Sequence, residues 1–382
     1  MPAFPAYDAA LIAALDAQAD AILDLFARHG YARVEPPILQ PADVFLDRSG
    51  EEMRRRTFAL TDVLGRELCL RPDLTIPVAR AHLAAHGKFP ARLCYHGPVF
   101  RIQPAEPERP TQFLQAGVEC LGAPNRQAAD VEVLSLAVEA LHAAGLEDFS
   151  VKLGDLGLFV GLVDALGIPP LWRARLTRHF WRPGYFRALL ERASSAGRHA
   201  PFGAAGEAET RVALDALLDR MGGATLGGRT REEIAGRLLE KAGEAAALGF
   251  DKKAVVLIDR VLSVSGPAAK SVDAIAGLLK RAGIALDAPL AAMEKRIAVL
   301  EKLGVKPART SFAANFGRNF EYYTGFVFEL WSRDAEGKVQ VAGGGRYDTL
   351  LQSLGARKPH PAVGCAIRTE RVLAARRATR RS

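Results

Sequence analysis

Apolar side chains at Leu11, Ile12, Leu15, Ile22, Leu23 and Phe26 recur at helical spacing, and Gly30 follows as a stop, which predicts an amphipathic helix over residues 7–29. Pro36 and Pro37 interrupt the next apolar segment and place it in an edge strand or an extended arm. Phe58 to Leu70 reads as a hairpin turning at Gly65, and residues 76–86 return to helix. Strand character reappears at Arg92 to Phe100 and at Phe113 to Leu121. Between them Pro104, Pro107 and Pro110 make Gln103 to Pro110 a loop. A helix over 127–145 ends at Gly145, a short strand covers Val151 to Leu153, and another helix follows. From about 170 to 300 the pattern is Ala- and Leu-rich with helical period, punctuated at Gly203 to Gly206 and Gly222 to Gly228. Strands resume at Arg309 to Ala314, Val327 to Trp331 and Val339 to Ala342, and a last helix is predicted over 364–377. Strand-rich blocks on both sides of a helical block predict an α+β domain on a mainly antiparallel sheet.

The length of 382 residues fits one large domain with an insertion, or two domains. The net charge of +8 and the pI of about 9.4 raise the question of a polyanionic partner. The basic residues are scattered, however, many of them on amphipathic stretches such as Arg231 to Glu240. Only Arg376, Arg377, Arg380 and Arg381 cluster, so the reading is a dispersed solvated surface. Cys69, Cys94, Cys120 and Cys365 lie far apart with no C-x-x-C pair, which argues against a zinc site and a disulfide framework and fits a reducing cytosol. The first residues lack a basic region followed by an apolar one, and no apolar run approaches the ~18–20 residues of a membrane span. The expectation is a cytoplasmic protein with no membrane partner. No G-x-x-x-x-G-K-[ST], post-strand G-x-G-x-x-G, H-E-x-x-H or G-x-S-x-G occurs, and the histidines show no metal-ligand spacing; neither a cofactor nor a metal is expected.

Three stretches carry candidate chemistry. Arg71-Pro72-Asp73-Leu74-Thr75 places an acid and a hydroxyl two residues apart, able to face one pocket or to cap the helix that follows. Tyr95 to Arg101 is followed by Gln112 to Glu119, where alternation puts Phe113, Gln115, Gly117 and Glu119 on one face. Such a face can bind a polar head group or can simply be solvated. Arg101 could take a phosphate or carboxylate. Phe316 to Glu329 holds paired tyrosines, Tyr322 and Tyr323, as aromatic walls with hydroxyl tips. Ala342 to Asp348 contains three consecutive glycines, which suit either close approach of a ligand or a hairpin bulge.

In this order the stretches resemble the catalytic domain of the class II aminoacyl-tRNA synthetases, specifically histidyl-tRNA synthetase. Val34 to Ile38 looks like motif 1, which builds the dimer interface in that class. Tyr95 to Arg101 with Gln112 to Glu119 looks like motif 2, and Pro361 to Arg371 like motif 3. Arg318 to Tyr323 and Gly343 to Asp348 look like the two histidine signatures, and the likeness spans roughly 7–160 and 305–373. The resemblance implies a class II synthetase-like antiparallel sheet flanked by helices. The core would comprise 1–165 and 305–382, with 166–304 a mainly helical insertion. It also implies that Asp73, Thr75, Gln115, Glu119, Tyr322, Tyr323 and Tyr347 line a histidine pocket. Arg101 would meet the substrate carboxylate or an ATP α-phosphate, Arg318 the histidine carboxylate side, and Arg371 the ATP γ-phosphate.

Four departures from the synthetase pattern bear on function. Gln103 stands where a synthetase carries the glutamate that recognises adenine, and Thr111 replaces an arginine of the motif 2 loop. Arg368 stands where motif 3 has a glycine, so a guanidinium would fill or cross the nucleotide site. Eleven residues follow Arg371, too few for a domain of at least ~50 residues, so no anticodon-binding domain is expected. A histidine pocket beside a damaged ATP pocket resembles the regulatory subunits of ATP phosphoribosyltransferase. These assemble with a short-form catalytic subunit in the first step of L-histidine biosynthesis and confer feedback control. That resemblance implies a non-catalytic chain, a homodimer within a hetero-oligomer, and L-histidine as effector; tRNA is not an expected partner. The alternative is a truncated synthetase-like enzyme that forms histidyl-adenylate, kept open by Arg101, Arg318 and Arg371.

Overall fold

The computed structural model describes residues 7–46, 54–103, 110–180, 183–195, 225–226, 229–230, 251–317 and 322–379. Arg318, the stretch Arg231 to Glu240, the glycines of 203–206, Arg380, Arg381 and most of the proline-rich loop after Gln103 lie outside these residues. The chain divides into two compact units: Met1–Leu158 with Ser263–Gly277 and Leu286–Ser382, and Phe159–Leu262 with Leu278–Ala285.

In the first unit, helix α1 (Ala9–Arg28) begins where the Asp8 carboxylate accepts the Leu11 N–H at 2.7 Å, and Gly30 follows its end with a positive φ of 78°. Leu15, Ala19, Ile22 and Phe26 are buried, whereas Ile12 is 45% exposed, so the buried stripe is narrower than the apolar spacing predicts. The Gln18 amide donates to the Thr369 carbonyl at 2.7 Å and ties α1 to the start of the last helix.

The main sheet has nine strands: β1 (Ala32–Arg33), β5 (Ala91–Phe100), β6 (Gln112–Leu121), β7 (Ser150–Asp155), β8 (Ser265–Pro267), β9 (Thr310–Ala313), β10 (Phe326–Asp334), β11 (Gly337–Arg346) and β12 (Ala362–Arg368). Their spatial order is β1-β5-β6-β12-β11-β10-β7-β9-β8; β1 with β5 and β7 with β9 run parallel and the remaining pairs antiparallel. A smaller antiparallel sheet is formed by β2 (Leu39–Pro41), β3 (Ala59–Thr61) and β4 (Glu67–Leu70), with the turn at Gly65 as expected. Helix α2 (Thr75–Ala84) follows β4, and α3 (Arg126–Ala143) packs against the sheet with Val133, Leu134, Ala137 and Leu141 fully buried. The mixed helix and mostly antiparallel sheet agree with the α+β expectation.

One predicted element is corrected. Residues 364–377 are not one helix: Ala362–Arg368 is strand β12, and helix α5 (Thr369–Thr379) starts only afterwards. Ala362 to Cys365 are buried between β6 and β11, and a short apolar run covered on both faces carries no period that separates strand from helix.

Helix α4 (Asp287–Lys302), expected within a 166–304 insertion, belongs to the first unit. A buried ion network fixes it there. Arg296 pairs with Asp130 on α3 and donates to Asp155 Oδ2 at 2.8 Å; Arg346 at the end of β11 donates to Asp130 Oδ1 at 2.8 Å and to Asp348 Oδ1 at 2.8 Å. Charges this deep stay only when each is paired.

The second unit is helical over Pro170–His179, Pro183–Ser195 and Lys252–Leu262, with a two-residue-strand hairpin at Thr225–Leu226 and Arg229–Thr230. The Phe159 ring centroid lies 4.8 Å from that of Phe180 and 5.5 Å from that of Phe186, beside fully buried Leu189 and Ile258. Among the described residues, no helix is long and apolar enough to cross a membrane.

Candidate functional site

At the centre of the main sheet one face is interrupted by glycine and alanine positions. Register places Gln115, Gly117 and Glu119 of β6 opposite Arg368, Ala366 and Gly364 of β12, and Ala366 and Gly364 opposite Gly343 and Gly345 of β11. The triple glycine therefore lies in a continuously paired part of β11, just past the register shift between Gln340 and Ala342, and is not itself a hairpin bulge. Side chains need the space: a Cβ on Gly364 would stand 1.7 Å from Glu119 Oε2, and one on Gly345 would stand 2.9 Å from the Tyr323 ring.

Over this floor lies a cavity of about 480 Å³ of empty space, its open mouth included. Asp73 and Thr75 reach it from the N-terminal end of α2, Gln115 from β6, and Tyr322, Tyr323 and Tyr347 from the segments flanking β10 and β11. Arg101 lines its edge with Arg368. Every candidate histidine-pocket residue within the described chain thus borders this space or, for Glu119, lies against Gly364 of its lining.

Glu119 is completely buried and anchors the floor. Its Oε1 accepts from Tyr95 Oη at 3.0 Å, its Oε2 accepts from Tyr347 Oη, and Thr75 supplies a further hydroxyl bond. Burial outweighs these donors and pushes the carboxyl up to about 8, so the group is largely neutral at pH 7. The same burial, with Glu119 alongside, holds Tyr95 and Tyr347 well above the ordinary phenol range. Tyr347 also meets the edge of Tyr322 with centroids 5.7 Å apart, and Tyr322 packs on Tyr323 at 4.8 Å.

Asp73 uses one carboxylate oxygen locally and leaves the other unbonded. Its Oδ1 accepts the Ile76 N–H at 3.3 Å near the start of α2, whereas the buried Oδ2 has no partner. Burial raises its pKa, and the Arg101 guanidinium opposes that shift. Gln115 Oε1 is likewise buried without a partner. Two unsatisfied acceptors bordering one cavity call for a donor-rich ligand, because an unmatched buried acceptor costs about 1–3 kcal/mol.

The residues that the synthetase resemblance would place on the nucleotide side pack against protein groups. The Arg368 guanidinium carbon lies 5.0 Å from the centroid of the Phe113 ring, and that of Arg101 lies 5.4 Å from the same ring. Arg101 Nε donates to the Pro72 carbonyl at 2.6 Å. Gln103 is tied down as well, donating to the Pro110 carbonyl at 2.7 Å and accepting from Arg56 at 3.4 Å. Arg371 Nη1 donates to the carbonyl of Gln340, another cavity residue. All four cysteines are buried as free thiols, and no group of three metal-ligating side chains occurs among the described residues.

Sequence reasoning left Tyr95 out of the site, although it holds Glu119 beneath the cavity. The signal for Tyr95 was the glycine across from it: Gly117 pairs with Tyr95, and a Cβ there would stand 2.5 Å from the phenol oxygen.

Comparison with known proteins adds a second line of evidence. The family model described as histidyl-tRNA synthetase matches residues 10–195 and 215–372. A protein of Allorhizobium ampelinum named ATP phosphoribosyltransferase regulatory subunit is 39% identical over 94% of this chain and 97% of its own length. One of the same name from Rhizobium meliloti is 37% identical over 95% and 98%. Among solved structures, an ATP phosphoribosyltransferase regulatory subunit/histidyl-tRNA synthetase from Bacillus halodurans aligns with a TM-score of 0.67 at 24% identity, covering 98% of this chain and 82% of that one, a likeness of fold. A histidine–tRNA ligase subunit from Alicyclobacillus acidocaldarius aligns with a TM-score of 0.60 at 25% identity, covering 100% and 97%.

Proposed function

This chain belongs to the family of ATP phosphoribosyltransferase regulatory subunits, built on the histidyl-tRNA synthetase fold, and we propose that it senses L-histidine for a separate catalytic chain. The observation that carries the reading is a cavity with two buried, unpartnered acceptors, bordered by two guanidiniums that rest on the Phe113 ring. Asp73 Oδ2 and Gln115 Oε1 offer unpartnered acceptors for an ammonium group. The tyrosines and the Glu119 carboxyl offer a buried polar and aromatic seat for an imidazole. Arg368 lies over Phe113, where motif 3 of a synthetase keeps a glycine.

On this reading the chain runs no reaction of its own and acts through what it binds. Phosphoribosyl transfer to ATP is therefore assigned to a short-form catalytic partner, and histidine acts by favouring one of two assembly states with a coupling of ~1–3 kcal/mol. Self-pairing is assigned to the motif 1 segment, where Ile38 and Leu39 are 42% and 50% exposed beside Pro36 and Pro37. Arg318 is assigned to the ligand carboxylate by resemblance.

Mixing the purified chain with the catalytic subunit should raise phosphoribosyltransferase activity and make it histidine-sensitive. Glu119→Ala should blunt that sensitivity and leave assembly intact. A catalytic chain unaffected by micromolar amounts of this protein, with and without histidine, would overturn the reading. Histidine-dependent exchange of pyrophosphate with ATP would instead favour an adenylate-forming enzyme, in which Arg101 and Arg371 keep their synthetase roles.

A further inference from the structure

Resting on the pocket as a histidine site, we propose that Arg296 of α4 is a positioning residue for it, holding the tyrosine segments that wall the cavity through Asp130 and Arg346. Arg296 reaches those segments by two routes. In the first, its guanidinium pairs with Asp130, whose Oδ1 accepts from Arg346 Nε at 2.8 Å. Arg346 also donates to Asp348 Oδ1 at 2.8 Å, and that oxygen accepts the Ala362 N–H at 3.0 Å. Tyr347 lies between these two pinned residues, with its N–H on the Ala362 carbonyl at 2.7 Å and its hydroxyl on Glu119. In the second route, the Arg296 guanidinium carbon lies 4.2 Å from the centroid of the Phe326 ring, and its Nη1 donates to Asp155. The next residue, Leu156, donates its N–H to the Gly325 carbonyl at 3.1 Å. The routes meet at Thr324, which follows Tyr322 and Tyr323 in the chain. Its N–H donates to the Arg346 carbonyl at 2.8 Å, and its Oγ1 accepts the Asp348 N–H at 3.0 Å.

The chemistry of the network favours positioning over adhesion. Packed apolar side chains would join α4 to α3 without taking any charge out of water, whereas each buried ion here carries a desolvation cost. Guanidinium forks bond in fixed directions, so Arg296 and Arg346 set the angle as well as the distance between α4, α3 and the end of β11. Arg296 is 4% exposed and its Nε has no partner, so its hold rests on the two forked bonds and the ring of Phe326. Both tyrosine segments are therefore referred to one helix. A ligand seated between Tyr323 and Tyr347 meets walls whose spacing α4 sets through a single side chain.

Calorimetry with L-histidine and hydrogen exchange read by mass spectrometry, both on the full chain, test this. Arg296→Met/Asp155→Asn removes the fork together with the carboxylate it would leave unpaired. Leu300→Ala is the control, because Leu300 is fully buried on the same helix and its loss leaves the charges of the network in place. The double variant should bind histidine about five- to thirtyfold more weakly, and Leu300→Ala within about twofold of wild type. Arg296→Lys should fall between wild type and the double variant, since an ammonium keeps the charge without the fork, and it carries the test alone if the double variant does not fold. In the ligand-free protein, segments 322–327 and 344–350 should exchange faster in the double variant and at the wild-type rate in the control. Wild-type affinity in the Arg296 variants, or an equal loss in the control, would overturn the positioning role and leave the pocket standing. If histidine does not bind wild type, the pocket reading falls and exchange in the ligand-free protein decides the positioning role: faster exchange of the two segments sustains it, and unchanged exchange overturns it.

Discussion

Replacing Glu119 with Gln removes one proton-binding group from beneath the pocket and preserves its shape. Glu119 is fully buried, with Tyr95 Oη at 3.0 Å from Oε1 and Tyr347 bonded to Oε2. A glutamine keeps one acceptor for these hydroxyls, and its amide donates to the other once that hydroxyl turns. Burial lifts the carboxyl from 4.5 to about 8. In the unfolded chain the same group ionises at about 4.3. Between these values the folded state holds a proton that the unfolded state has lost, so this contribution to stability is complete below about pH 4 and is lost as pH rises through about 8. At ~1.4 kcal/mol per unit, the loss is on the order of 5 kcal/mol at most. The assay is the urea midpoint of wild type and Glu119→Gln at a series of pH values from 5 to 9. The wild-type midpoint should fall relative to the variant as pH rises and level off above the folded pKa. Midpoints that keep a constant difference across the series, or a wild type that gains on the variant with rising pH, would refute the buried neutral carboxyl.

Asp130→Ala leaves Arg296 with Asp155 and Arg346 with Asp348 while removing the carboxylate that both share, and should cost ~3–5 kcal/mol in urea unfolding. A change below ~1 kcal/mol would mean that the network contributes little. Arg71→Met strands the carbonyls of Pro36 and Pro98, which the buried guanidinium holds at 2.5 and 2.8 Å, and should destabilise by ~1–3 kcal/mol for each carbonyl left dry, read from the same midpoints. Gly364→Ala drives a methyl against Glu119 and the Val118 carbonyl. It should remove histidine binding in calorimetry and lower stability by ~1–3 kcal/mol; unchanged binding would show that the Glu119 floor is not needed.

Local pattern was sufficient for the elements whose chemistry is local. The period of α1 and its Gly30 stop, the hairpin turning at Gly65, and the alternation of β6 are properties of a few neighbouring residues, and each is legible without a partner. Alternation also placed Gln115 and Glu119 on one face, and motif order made a histidine pocket readable as an expectation. Strand β12 was not legible, because a buried seven-residue run gains its strand identity only from β6 and β11 on either side. Nor was the place of α4 legible, since Arg296 finds Asp130 and Asp155 more than a hundred residues away. Tertiary structure alone decided which atoms are satisfied. Asp73 could have been a cap or a ligand group, and packing gave one oxygen the Ile76 N–H and left the other buried without a partner. It also set the charge of Glu119, because the proton affinity of a carboxyl depends on the water taken away from it. Removal of that water is the work of Gly364, Tyr95 and Tyr347 together, distant in the chain and joined only by the fold.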